Sequence, residues 1–164
     1  MKIIASVLIL LAWTVPAQAQ HKITIYAADG PRGVAGSHTF AVVDGKHTIS
    51  WFPAKLLLHH PLHLRPEPGR NYSHFETLAW ARACGSVVTE IGTVPISEAG
   101  YRRALALLQD MQAGRIKYRL LGRKAGELNC IGAVAFVSGE KIKTGFQHGT
   151  RASKTLLAHF QRTT

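Results

Sequence analysis

Beyond residue 20 the chain alternates short β-branched runs with stretches of helical periodicity. Residues 22–27 (KITIYA) read as a first strand, and the Gly/Pro-rich 29–37 (DGPRGVAGS) as a loop. The runs 38–43 (HTFAVV) and 47–52 (HTISWF) flank Asp44-Gly45, which predicts a hairpin. Residues 53–72 are proline-rich with little periodicity and read as a long surface loop. Ser73-His-Phe-Glu76 is a capping box that predicts a helix to about residue 83. A strand follows at 86–94 (SVVTEIGTV). Ser97 then caps a helix to about 113, with Tyr101, Ala104, Leu105, Leu108 and Met111 at helical spacing and Gly114 as its stop. Residues 116–121 read as a strand and RKAGE (123–127) as a turn. Asn129 caps a short helix of small residues, CIGAVAFV, and a last helix covers 151–161. Strands and helices in this order, without internal repeats, predict an α+β domain rather than a βαβ array.

The first 20 residues follow a different pattern. Lys2 precedes an apolar run, Ile3 to Val15, and Ala17-Gln18-Ala19 is an A-x-A cleavage site. This is the plan of a secretory signal peptide, too short for a membrane span. The expectation is a signal peptide at 1–19, a single mature domain at 20–164, and a secreted or periplasmic location. No later segment is long and apolar enough to cross a membrane.

Charge adds one constraint. The chain carries a formal +11, and removing Lys2 leaves 19 basic and 9 acidic residues, or +10. Such a surface is attracted to anionic material. The basic residues are scattered and not interleaved with aromatics, which argues against specific nucleic-acid binding.

Two cysteines are the candidate chemistry. Cys130 opens the small-residue helix, where free backbone N–H groups and the helix dipole favour thiolate and can receive an oxyanion. A cysteine nucleophile needs a base, and His38 stands at the start of a strand after a glycine-rich loop. The bland alternative is a Cys84–Cys130 disulfide, since the expected compartment is oxidising and the count is even.

Two blocks resemble a known family. Tyr118-x-x-x-Gly122 followed by Asn129-Cys130-Ile131-Gly132-Ala133-Val134 is similar to the surroundings of the catalytic cysteine in NlpC-type cell-wall peptidases, where Asp-Cys-Ser-Gly-Leu-Val follows a tyrosine and glycines. His38 to Ser50 (HTFAVVDGKHTIS) resembles that family's histidine hairpin. Here the histidine comes 92 residues before the cysteine, the order of the circularly permuted papain-like branch that includes relatives of lecithin retinol acyltransferase. The resemblance implies a single papain-like domain, a small antiparallel sheet packed against helices, with Cys130 as nucleophile and His38 as base. The family's third residue lies twelve positions after the histidine, which here is Ser50; a three-residue turn would set it opposite His38. Serine departs from the histidine or asparagine usual there. His47 lies nearer the turn, about four residues along the strand, beyond hydrogen-bond reach at ~3.4 Å per residue.

The substrates so implied are amide or ester bonds, with peptidoglycan stem peptides first. Tyr118, Asn129 and Trp51 are candidate substrate contacts. No metal or organic cofactor is implied. His59, His60 and His63 form HHxxH in the Pro-rich segment without a nearby carboxylate or thiol, a poor metal set. The competing functional class is a non-catalytic, cationic envelope-binding domain on the same scaffold, with the cysteines paired or inert.

Overall fold

The computed structural model describes residues 21–30, 33–54, 65–120, 126–139 and 149–163. Their order is β1 (His21–Gly30), β2 (Gly33–Val43), β3 (His47–Ile49), β4 (Trp51–Pro53), β5 (Glu67–Asn71), α1 (His74–Ala83), β6 (Val87–Ile96), α2 (Glu98–Gln112), β7 (Lys117–Tyr118), β8 (Glu127–Leu128), α3 (Cys130–Phe136) and α4 (Gly149–Thr163). The class is α+β, with four helices and two small four-stranded sheets among the described residues.

The first sheet, β3-β2-β1-β6, is antiparallel throughout. Its hairpin turns at Asp44-Gly45, both with positive φ (51° and 68°), and Lys46 N–H closes the turn on the Val43 carbonyl. Asp44 is held there by accepting the Lys22 backbone N–H at 2.9 Å. Pro95 sits on β6, an edge strand, where its missing N–H costs nothing. The second sheet, β4-β5-β7-β8, includes one parallel pair, β7 with β8.

Strand alternation gives the first sheet two unlike faces. Ile23, Ile25, Ala41, Val43 and Ile49 belong to the main core, with Ala104, Leu107 and Met111 of α2, Ala133 and Val134 of α3, and Leu156 and Phe160 of α4. Tyr26, His38 and Phe40 take the other face, where they meet His74 and Trp80 of α1. Helix α1 carries the expected capping box, and its inward residues are Thr77 and Ala81, one turn apart.

Three stretches differ from the sequence reading. The 47–52 run is not one strand: the chain leaves the first sheet at Ser50 and enters the second at Trp51. Strand β2 reaches back to Gly33, into the expected loop. Residues 67–71 of the Pro-rich segment form β5, because Gly69 lies against Trp51 of β4. A Cβ at Gly69 would sit 2.1 Å from the indole, so only glycine lets the strands close over that ring. The remaining centre of that segment, with His59, His60 and His63, lies outside the described residues, as do the 1–19 segment and Gly122. No helix among the described residues is long and apolar enough to cross a membrane.

Candidate active site

The site is built where β3 stops. Pairing of β2 with β3 ends at Ala41↔Ile49. Because the Val43 carbonyl takes the turn bond, the odd-numbered residues of β2 direct their backbone groups toward β3. Two residues past Ala41, the Thr39 N–H therefore meets an open edge. The Cys130 thiol occupies it, with the backbone N–H groups of Thr39, Ile131 and Cys130 itself near enough to the sulfur to favour its charged form.

Helix α3 makes those donors available. An N-terminal turn leaves four N–H groups without helical partners. Gly132 N–H goes to Asn129 Oδ1 at 2.6 Å, and the helical ladder starts with Ala133 N–H on the Asn129 carbonyl at 2.9 Å. The N–H groups of Cys130 and Ile131 are left for the sulfur. Asn129 is thus fully engaged: its Nδ2 also donates to the Leu120 carbonyl at 2.8 Å. It shapes the site as a cap and tether, and its amide is not turned to a substrate.

Burial pushes the Cys130 thiol up, and the three N–H contacts offset only part of that. The expected thiolate is therefore not the resting form, because desolvation outweighs a seven-residue helix. Cys130 and Cys84 are both free thiols. Cys84 ends α1 and Cys130 opens α3.

His38 is fully enclosed, with 2% of its surface exposed. Its ring stacks on Phe52 at 3.8 Å between centroids and meets the edge of Trp80 at 5.7 Å. Desolvation lowers its pKa from 6.5 to about 3, so the resting imidazole is neutral. Nε2 lies 3.0 Å from Ser50 Oγ. Ser50 and His38 are brought together, though not by the expected register. The turn spans 44–46, so Val43 faces His47, and carrying that register on sets Ser50 opposite Phe40. Ser50 reaches His38 along the diagonal, on the shared face.

Ser50 is itself held at the joint between sheets. Its N–H donates to Asn71 Oδ1 at 2.8 Å, its carbonyl accepts Tyr72 N–H at 2.9 Å, and Asn71 Nδ2 donates to the Thr48 carbonyl at 2.8 Å. Thr77 Oγ1 lies 2.7 Å from Ser50 Oγ. Thr39, Asn71, Trp80 and Thr77 are neighbours that sequence reasoning missed. Phe52, two places after Ser50 on one face of the extended HTISWF run, lies beside Ser50 as that spacing implies.

The other candidates divide. Tyr118 is buried in the core; burial foremost, then the nearby Cys130 and Glu67 charges, raise its phenol. Trp51 does not line a cleft beside Ser50: it is wholly buried in the core, because consecutive residues of an extended chain point to opposite faces. His47 sits 3.5 Å from Tyr101 Oη, away from His38. A scan against protein-family models finds no match to this chain, and searches of curated proteins and of solved structures find none either.

Proposed function

We propose that this chain is a secreted, cysteine-dependent hydrolase or acyltransferase of amide or ester bonds, on a permuted papain-like scaffold. One observation carries the reading: the Cys130 sulfur rests on the N–H of Thr39, the residue directly after His38. The sulfur is thus held beside the backbone of the residue that follows the base, while the His38 ring lies toward Phe52 and Trp80.

The resting pair is thiol and neutral imidazole. As Sγ attacks the substrate carbonyl carbon, its proton passes to His38, the S–C bond forms, and the carbonyl electrons move to oxygen. The Cys130 backbone N–H contributes to the hole that receives that oxyanion. His38 then gives its proton to the departing nitrogen or oxygen as the C–N or C–O bond breaks. Because burial makes imidazolium a strong acid here, this second transfer is favoured and the first is the demanding one. Water or another acceptor, deprotonated by His38, attacks the thioester and releases Sγ, which regains the proton.

Stem peptides of peptidoglycan are the first candidate substrate, from the resemblance and the expected export. The test is turnover of soluble stem-peptide fragments and of a chromogenic ester by the mature protein and its Cys130→Ala variant. Loss of all turnover by a folded variant supports the reading; a fully active variant sinks it.

A second reading, a cationic envelope-binding domain, has its own observation. A cavity of about 660 Å³ lies over α4, bounded by Thr150, Arg151, Lys154, Thr155, Ala158 and Arg162. Among the described residues, three cations line it and no acid does. Inert thiols together with salt-sensitive binding to anionic wall material would favour this reading.

A further inference from the structure

We propose that the outward face of α4 is a docking site for a linear anionic polysaccharide, a chain of sugars bearing carboxylate or phosphate groups. The ligand chemistry rests on the envelope-binding reading; nothing in it requires Cys130 to be a nucleophile.

The sequence divides α4 into two unlike faces. From residue 141 to residue 164 the chain holds five Lys and Arg residues and no Asp or Glu. Within the helix, Ala152, Leu156 and Phe160 recur every four residues and are buried in the core. Arg151, Lys154, Ala158 and Arg162, spaced by three, four and four residues, form another stripe, and its three cations are exposed. At 1.5 Å per residue these charges cover roughly 16–17 Å of helix, a line rather than a point. Ala158 is the smallest side chain in the cavity wall and lies between Lys154 and Arg162.

The charges on this stripe are uncompensated. Arg70, Arg102, Arg115 and Arg119 each pair with a carboxylate, of Glu76, Glu98, Asp110 and Glu127. Among the described residues, Arg151, Lys154 and Arg162 have no such partner. Asp29 of β1 adjoins the stripe, but it caps the helix, accepting Thr150 N–H at 3.1 Å and the Thr150 hydroxyl. A row of unpaired cations attracts a polyanion, and guanidinium groups pair well with carboxylate and phosphate.

The lining also selects among polyanions. It has no aromatic ring on which a base would stack, as single-stranded nucleic acid requires. It has no apolar side chain larger than alanine to enter a bilayer. A chain recognised by charge alone remains. Such a chain would lie close to the candidate chemistry. Ser153, on the inner side of the same helix, meets Thr39 Oγ1 at 3.1 Å, and a helix is only about 10 Å thick.

The experiment is fluorescence anisotropy of labelled polygalacturonate and labelled phosphorylated dextran with the mature protein, unmodified dextran being the neutral control. At least one anionic chain should bind and dextran should not. On a single-stranded polyanion each contact contributes about −0.7 to the salt slope, so three contacts weaken binding roughly tenfold to twentyfold between 50 and 200 mM salt. The variant Arg151→Gln/Lys154→Gln/Arg162→Gln should lose most of that affinity and keep its thermal midpoint. Lys22→Gln/Lys46→Gln/Lys117→Gln, which removes the same charge from other exposed positions, should bind nearly as wild type. Should the α4 triple variant fail to fold, Lys154→Gln alone should lower the slope by about 0.7. Equal losses in the two triple variants overturn the site, because net charge would then explain the binding. Failure of both anionic chains to bind overturns it too, as does tighter binding to phosphatidylglycerol vesicles or single-stranded DNA at equal charge. An inactive Cys130→Ala that still binds leaves the docking site standing, whereas an active enzyme that binds neither chain loses it.

Discussion

The Cys130 sulfur lies beside the backbone N–H of Thr39, and this contact does not make it a thiolate. Desolvation dominates, so the thiol lies above its ordinary value of 9.0. Alkylation by iodoacetamide should therefore be slow at neutral pH and climb with pH, without levelling off below about pH 9. Peptide mass mapping after timed labelling reads the rate; a plateau near neutrality would contradict the environment described.

The Asn129 cap is a separate target. Asn129→Ala removes the acceptor for Gly132 N–H and the donor to the Leu120 carbonyl. Loss of such a cap costs about 1 kcal/mol, up to ~2. Asn129→Ser should keep the cap and lose only the tether, giving a smaller drop in a urea midpoint. Equal loss in both variants would show that the tether carries the effect.

Gly69 and Trp51 should be strongly coupled. Gly69→Ala drives a methyl group into the indole, and overpacking of this kind costs roughly 1–3 kcal/mol. The atoms that would clash belong to the six-membered part of the ring. Trp51→Phe should therefore recover much of the loss in the double variant, as a double-mutant cycle of chemical denaturation would measure. Additive losses would mean that the strands part instead of the ring being crowded.

His21 supplies a pH signature. Its pKa is raised, first by the hydrogen bond to Asp44 at 2.6 Å; burial, the next largest effect, opposes this, and Glu98 at 2.9 Å adds a smaller push upward. A raised folded-state pKa adds stability that is complete below the unfolded value of about 6.5 and disappears as pH climbs through the folded value. Thermal midpoints should thus decline above about pH 6.5, and His21→Gln should flatten that decline. An unchanged profile would remove the imidazolium bridge as its cause.

Legibility in the sequence followed the reach of each signal. Asp44-Gly45, the Ser73 capping box, the Ser97 cap and the Asn129 cap are local, and all four stand where the chain pattern put them. The α+β class followed from the order of elements. The turn fell one residue later than a diametric His38–Ser50 pairing needs, because Asp44 is fixed at the turn by Lys22 N–H and His21, partners more than twenty residues away. The split at Ser50 was invisible for the same reason: its backbone groups go to Asn71, the last residue of β5, and to Tyr72 just after it, both more than twenty residues away. Trp51 as a cleft residue failed on parity, since its neighbour Ser50 claims the opposite face. The raised thiol could not be read from a helix-start motif, because burial belongs to the assembled fold.

Ser50 is the point where one continuous chain passes between two sheets, and its hydroxyl touches the imidazole. Both sheets therefore meet at one imidazole: β2 carries it, Ser50 marks the crossing, and Phe52 of β4 lies flat against the ring.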